Sequence, residues 1–247
     1  MVSVYWSRSP RRATNPERAP IGARRCITIE IPRHQRPGTG DPTRDESDVL
    51  PIRTDRLLLR PFRIEDATAF AAYRSDELVA RFQGWEAPFP RHAADRFVRE
   101  MAARGCLAAP REGGWNQVAI EALGEQAAGG TLIGDCAFQI RAGEPRAASI
   151  GFTLARAIQG RGYATEAVRA LIGSLVDRCG VEIVEAVCDA ENVPSQRTLE
   201  RLGLRHDPSR DRRVLFKGRW TIDRTYLMRT DAMPTDAMRT EHPRVSG

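Results

Sequence analysis

The sequence contains one lysine, Lys217, and no long apolar run. Its uninterrupted apolar stretches, such as Leu57-Leu58-Leu59, are a few residues long. None could span a bilayer, so a soluble protein without membrane contacts is expected. Cysteines are few and scattered: Cys26, Cys106, Cys136, Cys179 and Cys188, with no CxxC pair. An odd count in a chain of 247 residues excludes a disulfide framework. The four histidines (His34, His92, His206, His242) are equally dispersed, so no zinc site or other metal is expected. Arginine carries nearly all the positive charge, giving a formal net charge of +6. That sign is compatible with nucleic acid, acidic protein or a phosphate-bearing ligand and does not choose among them.

The two ends differ from the middle. Residues 1–49 hold Pro10, Pro16, Pro20, Pro32, Pro37 and Pro42 among many arginines, and Ile27–Ile31 is their one strand-like piece. They read as a disordered extension, and residues 230–247 as a disordered tail. No apolar core of a secretory signal follows the start, and the acidic residues and prolines do not suit a transit peptide, so a cytoplasmic location is expected.

Residues 50–229 form the expected domain. Leu57–Arg60 reads as a strand, Glu65–Phe82 and Arg91–Arg104 as helices, with a Pro- and aromatic-containing loop between them. Asn116–Ala122, Thr131–Arg141 and Ala147–Leu154 read as strands of an antiparallel meander. Tyr163–Cys179 carries an apolar stripe at helical spacing, and Gly180 can end it. A strand over Glu182–Cys188, a helix over Asn192–Leu202 and a final hairpin turning at Lys217-Gly218 follow. The order is α+β with a mostly antiparallel sheet, not the strict alternation of a doubly wound fold.

The chemistry is concentrated where the Ala147–Leu154 strand runs into Gln159-Gly160-Arg161-Gly162-Tyr163-Ala164-Thr165, which opens the long helix. Glycines let the backbone approach a ligand, and the first amides of a helix lack internal partners at its positive end. Together they suit a pyrophosphate. A dinucleotide fingerprint is a poor match, since the third glycine is missing and no leading βαβ unit is present.

Gln159-x-x-Gly162-x-Ala164 resembles the Q/R-x-x-G-x-G/A signature of the GNAT superfamily of N-acetyltransferases, and the run Gly160–Ala167 resembles its RimJ/RimL-like branch. Asn192-x-x-Ser195 with Leu199-x-x-Leu202-Gly203 is similar to the family's following helix, and Ile52–Phe62 to its first strand. The resemblance covers about residues 50–229. It implies a mixed, mostly antiparallel central sheet flanked by helices, with a V-shaped splay between two parallel strands, here 147–154 and 182–188.

It also implies that acetyl-coenzyme A occupies the splay as co-substrate. Phe152, Thr153 and Leu154 would meet the pantetheine, and Gln159, Gly160, Arg161, Gly162, Tyr163, Ala164 and Thr165 the pyrophosphate. Asn192 would hold the pantetheine arm. A backbone amide near Phe152 or Thr153 would stabilise the oxyanion. The family's usual acid, a tyrosine, is missing between Asn192 and Leu202, which leaves Ser195 as the hydroxyl in that place. No carboxylate stands in the hairpin strand Arg213–Phe216, so the general base is left between Glu121 and Asp135 without a choice. Glu166 is read as structural, at the helix's first turn. Trp85, Phe89 and Trp220 are candidate walls of the acceptor pocket.

The implied acceptor is an amine: a protein N-terminal α-amine or a small amine, with an aminoglycoside as alternative. A coenzyme A-binding module without catalysis is a further alternative. Nucleic acid is not the expected partner, because a solvated tail explains the N-terminal arginines. Dimers are common in the family, and a homodimer stays open.

Overall fold

A computed structural model describes residues 49–104, 114–124, 130–141 and 143–232. The expected extension and tail, apart from Val49 and residues 230–232, lie outside them, as do Cys26 and Cys106.

Among the described residues nine strands form one sheet. They are β1 (Ile52–Arg53), β2 (Leu57–Arg60), β3 (Asn116–Ala122), β4 (Leu132–Arg141), β5 (Ala147–Leu154), β6 (Ile183–Asp189), β7 (Arg205–His206), β8 (Arg212–Phe216) and β9 (Arg219–Arg229). Their order is β1-β2-β3-β4-β5-β6-β9-β7, with β8 on the same side of β9 as β7. All neighbours are antiparallel except β5 and β6. The helices are α1 (Ala67–Arg74), α2 (Glu77–Ala80), α3 (Arg91–Ala103), α4 (Tyr163–Cys179) and α5 (Val193–Arg201). The α+β class and the mostly antiparallel sheet are as expected, and β1 and β7 are short additions.

The expected continuous helix over Glu65–Phe82 is instead broken into a 3-10 turn at Ile64–Asp66, α1 and α2. Two short polar side chains cause the break. The Ser75 hydroxyl donates back to the Ala71 carbonyl at 2.7 Å. Asp76 then adopts an extended conformation and accepts from the amides of Leu78 and Val79. Serine and aspartate compete in this way for backbone groups that a continuing helix would need.

The strand alternation sends successive side chains to opposite faces. Val118, Ile120, Cys136, Phe138, Ile150, Phe152 and Leu154 pack with Val168, Leu171, Ile172 and Leu175 of α4. Each large apolar side chain so buried contributes about 1.5–3 kcal/mol. The opposite face carries α1 and α3, whose Phe70 and Phe97 stack at 4.8 Å while Phe62 meets Phe70 edge-on at 5.6 Å. A register shift in β3 after Ile120 pairs Glu121 with Leu132. It explains why Leu132 joins the α1/α3 side while Ile133 joins the α4 side.

Gly134 fixes how closely β4 approaches the end of β5. A Cβ built there would lie 2.2 Å from the Thr153 carbonyl oxygen, so no larger residue fits this backbone. The α4 helix ends at Gly180, in the left-handed region at φ 63°. The amides of Gly180 and Val181 return to the carbonyls of Val176 and Leu175.

Candidate active site

β5 and β6 pair at three positions only: Ala147 with Ile183, Ala148 with Val184 and Ser149 with Glu185. Beyond them both strands continue, β5 to Leu154 and β6 to Asp189, without pairing to each other. This is the expected splay. Each strand is paired on its other side, β5 to β4 and β6 to β9.

The antiparallel ladder determines which groups of β5 face the gap. The Ala155 amide donates to the Ile133 carbonyl at 2.8 Å. That pair is therefore hydrogen-bonded, and with alternation so are Asp135/Thr153 and Ala137/Gly151. The peptide groups of Ile150, Phe152 and Leu154 point the other way, into the gap. Consistently, the Leu154 carbonyl accepts from Gln159 Nε2 at 2.8 Å. Of the two amides expected as oxyanion donors, Phe152's faces the gap and Thr153's faces β4. The side chains of Phe152 and Leu154 lie in the α4-side core, so these residues reach the gap through their backbone.

Gln159 thus acts as a strut. Its carboxamide ties the Gly-rich turn to the end of β5. Gly160 and Gly162 both take positive φ, 79° and 82°, where a side chain would be strained. Gly162 caps α4 with no side-chain bond, and the first intrahelical bond runs from the Glu166 amide to the Gly162 carbonyl at 3.1 Å. The amides of Tyr163, Ala164 and Thr165 thus belong to the open, positive end of a 17-residue helix.

A cavity of about 280 Å³ lies at this end. Leu154, Gln159, Gly160, Gly162, Tyr163, Ala164 and Thr165 line one side, and Pro194, Arg197, Thr198 and Arg201 of α5 the other. The fold therefore brings most of the expected cradle together. It does not bring Arg161 into the cavity lining. Arg197 and Arg201 supply cationic groups there instead. Their i, i+4 spacing just after Asn192-x-x-Ser195 could have been read from the sequence.

Asn192 caps α5: its Oδ1 accepts from the Ser195 amide. Both residues are fully buried, and neither lines the cavity. Glu166 does not line the cavity. Its carboxylate accepts from the Thr54 hydroxyl at 2.6 Å, the Arg56 amide at 3.1 Å and Arg56 Nε at 2.7 Å. Arg56 also donates to the Arg161 carbonyl and lies over the Tyr163 ring.

On the α1/α3 face, Asp135 stands across from Thr153. Its carboxylate accepts from the Tyr73 hydroxyl at 2.5 Å and from Arg74 Nη2 at 3.2 Å. Burial first, then the Asp135 charge, raises the Tyr73 phenol well above its ordinary value, so it stays protonated. The Thr153 hydroxyl accepts from Gln83 Nε2 at 3.0 Å. Glu121 is engaged elsewhere, by Arg60 Nε at 2.5 Å and Arg63 Nη1 at 3.2 Å. Trp85 covers Arg74 and donates from Nε1 to the Arg74 carbonyl, and Phe89 packs edge-on against Phe70. Trp220 sits apart on the outer face of the β8–β9 hairpin, under Arg213. Lys217 at the hairpin turn donates to the carbonyls of Ala80 and Trp85, which ties the turn to the end of α2 and to the loop that follows it.

The described cysteines Cys136, Cys179 and Cys188 are buried thiols, all pushed up in pKa chiefly by burial. They are poor nucleophiles in that state. Among the described residues no group of three or more His, Cys, Asp or Glu side chains comes together, and no helix is long and apolar enough to cross a membrane.

The sequence model of the acetyltransferase (GNAT) domain family matches residues 56–205. The uncharacterized N-acetyltransferase p20 of Bacillus licheniformis is 30% identical over 156 residues, which is 63% of this chain and 83% of the relative. The GNAT-family acetyltransferase of Bacillus anthracis has the same fold, with a TM-score of 0.61 at 24% identity over 74% of this chain and 99% of its own. So does RimL, a ribosomal L7/L12 alpha-N-protein acetyltransferase in complex with coenzyme A. Its TM-score is 0.59 at 16% identity, over 73% of this chain and 97% of its own.

Proposed function

The chain belongs to the GNAT acetyltransferase family, and from that premise we propose that it moves acetyl from acetyl-coenzyme A to a primary amine by direct attack. The observation that carries this reading is the free edge of β5, with the Phe152 amide facing a gap that opens beside the Gly-rich cradle. Pantetheine would run along the peptide groups of Ile150 and Phe152 as an added strand. The pyrophosphate would meet the amides from Gln159 to Thr165. The residues suit that group: an open helix end, two left-handed glycines and a cavity with Arg197 and Arg201 opposite.

In this reading a neutral amine attacks the thioester carbon. The C–N bond forms, the carbonyl oxygen becomes an oxyanion held by the Phe152 amide, and the C–S bond then breaks. The amine loses one proton and the departing sulfur gains one. Ser195 is the hydroxyl assigned to protonate the sulfur, and Asn192, as the α5 cap, sets the turn on which Ser195 stands. The buried thiols take no part in this route. Likeness of fold to RimL supports a protein α-amine as acceptor, with a small amine as the other member of the class.

The test is release of free thiol from acetyl-coenzyme A in the presence of amines. Peptides with free N-termini, small primary amines and aminoglycosides are offered in parallel. Amine-dependent release, with the acetylated product seen by mass spectrometry, is expected. Binding of acetyl-coenzyme A without release on any amine would instead indicate a non-catalytic module.

A further inference from the structure

Three buried side-chain polar atoms among the described residues lack any hydrogen-bond partner: Oε1 and Nε2 of Gln117, and Nε of Arg74. Gln117 is only 6% exposed. The carboxamides of Gln83, Asn116, Gln159 and Gln196, by contrast, are all bonded. A buried carboxamide with neither its donor nor its acceptor used weakens the folded state, and a bound group that pairs with both would relieve that cost.

Its position suits such a group. Gln117 lies on β3 in register with Ala137 of β4 and, through it, Gly151 of β5. These residues share the face that carries α1 and α3. The row therefore has almost no side-chain bulk between Gln117 and β5, and it reaches β5 at the residue between Ile150 and Phe152, whose amides face the gap. The next row, Ala119–Asp135–Thr153, is closed by Tyr73, Arg74 and Gln83. Arg74, owner of the third unpartnered atom, reaches into that adjacent row. Two strand spacings separate Gln117 from β5, roughly 10 Å. Two extended acceptor residues, at about 3.5 Å each, cover about 7 Å of that span and leave the rest to the glutamine side chain.

We propose that Gln117 is an acceptor-binding residue, whose carboxamide donates to and accepts from an amide group of the acceptor two residues from the reacting amine. A carboxamide offers a donor and an acceptor in one plane, which matches an amide and leaves a simple alkylamine unread. The proposal rests on the acetyl-transfer reading above and adds to it the residue that selects the acceptor.

The experiment compares wild type with Gln117→Met and Gln117→Glu. Tripeptide amides with free α-amines, one for each of the twenty N-terminal residues, are set against tyramine, which has no amide. For Gln117→Met the melting temperature is expected to hold or rise, and stabilisation by acetyl-coenzyme A to be unchanged. Its kcat/KM on the preferred peptide is expected to fall about tenfold, mostly through KM, with tyramine unaffected. Gln117→Glu, which keeps the shape but loses both donor hydrogens, is expected to weaken the peptide similarly. Unchanged peptide kinetics, equal losses on peptide and tyramine, a lowered melting temperature in Gln117→Met, or a wild type that binds acetyl-coenzyme A yet acetylates no peptide would each overturn the proposal. A wild type that does not bind acetyl-coenzyme A would instead overturn the acetyl-transfer reading itself.

Discussion

Arg56 grips Glu166 across 110 residues of sequence, with Nε 2.7 Å from the carboxylate and its own backbone amide 3.1 Å from the other oxygen. The contact ties the β1–β2 turn to the first turn of α4, where Arg56 also reaches the Arg161 carbonyl and the Tyr163 ring. Half of it is exposed, Arg56 being 45% accessible in its side chain, so the ion pair itself contributes little. The bonds from Thr54 and from the Arg56 backbone contribute more. Glu166→Ala is expected to cost about 1–2 kcal/mol in urea unfolding and to lower affinity for acetyl-coenzyme A without changing which amine is used. Unaltered affinity would show that the cradle holds its shape without this support.

Gly134 sets the distance between β4 and the end of β5 that borders the gap. Gly134→Ala forces a Cβ against the Thr153 carbonyl, where only backbone can yield. A loss of about 2–4 kcal/mol is expected, together with a fall in kcat, because the Phe152 amide lies one residue from the displaced carbonyl. Full activity at reduced stability would place the oxyanion donor elsewhere.

Arg197 and Arg201 line the cavity across from the helix end. Replacing both by Ala is expected to weaken acetyl-coenzyme A binding by about tenfold or more and to flatten its salt dependence, read by calorimetry at low and high ionic strength. Arg161→Ala, outside that lining, is expected to have a smaller effect.

The buried thiols give the fold a pH limit on the alkaline side. Cys188 is pushed up to about 12, first by burial and then by Asp189. A raised folded-state value means this contribution is complete below the unfolded thiol's ordinary value near 9 and is lost as pH rises toward 12. Melting temperature is therefore expected to decline from about pH 9 upward, less steeply in Cys188→Ala. At neutral pH the native protein's Cys136 and Cys188 are expected to resist alkylation.

Much of this fold was legible because burial enforces period. The α4 stripe, the β3–β5 meander and the hairpin at Lys217-Gly218 were all readable from apolar spacing and turn residues. The break between α1 and α2 was not, because it depends on Ser75 and Asp76 bonding to nearby backbone groups while the apolar spacing runs on. The cradle's glycines were legible from the turn itself. The strut role of Gln159, the direction of the Phe152 amide and the unpartnered Gln117 were not, since each depends on which strand lies beside which.

Thermal unfolding of the purified protein with increasing acetyl-coenzyme A tests the central claim most directly, with Gly162→Glu as a folded control checked by circular dichroism. The account predicts a melting temperature that rises with ligand in the wild type and does not rise in the variant. A wild-type melting temperature unmoved at saturating acetyl-coenzyme A would contradict it.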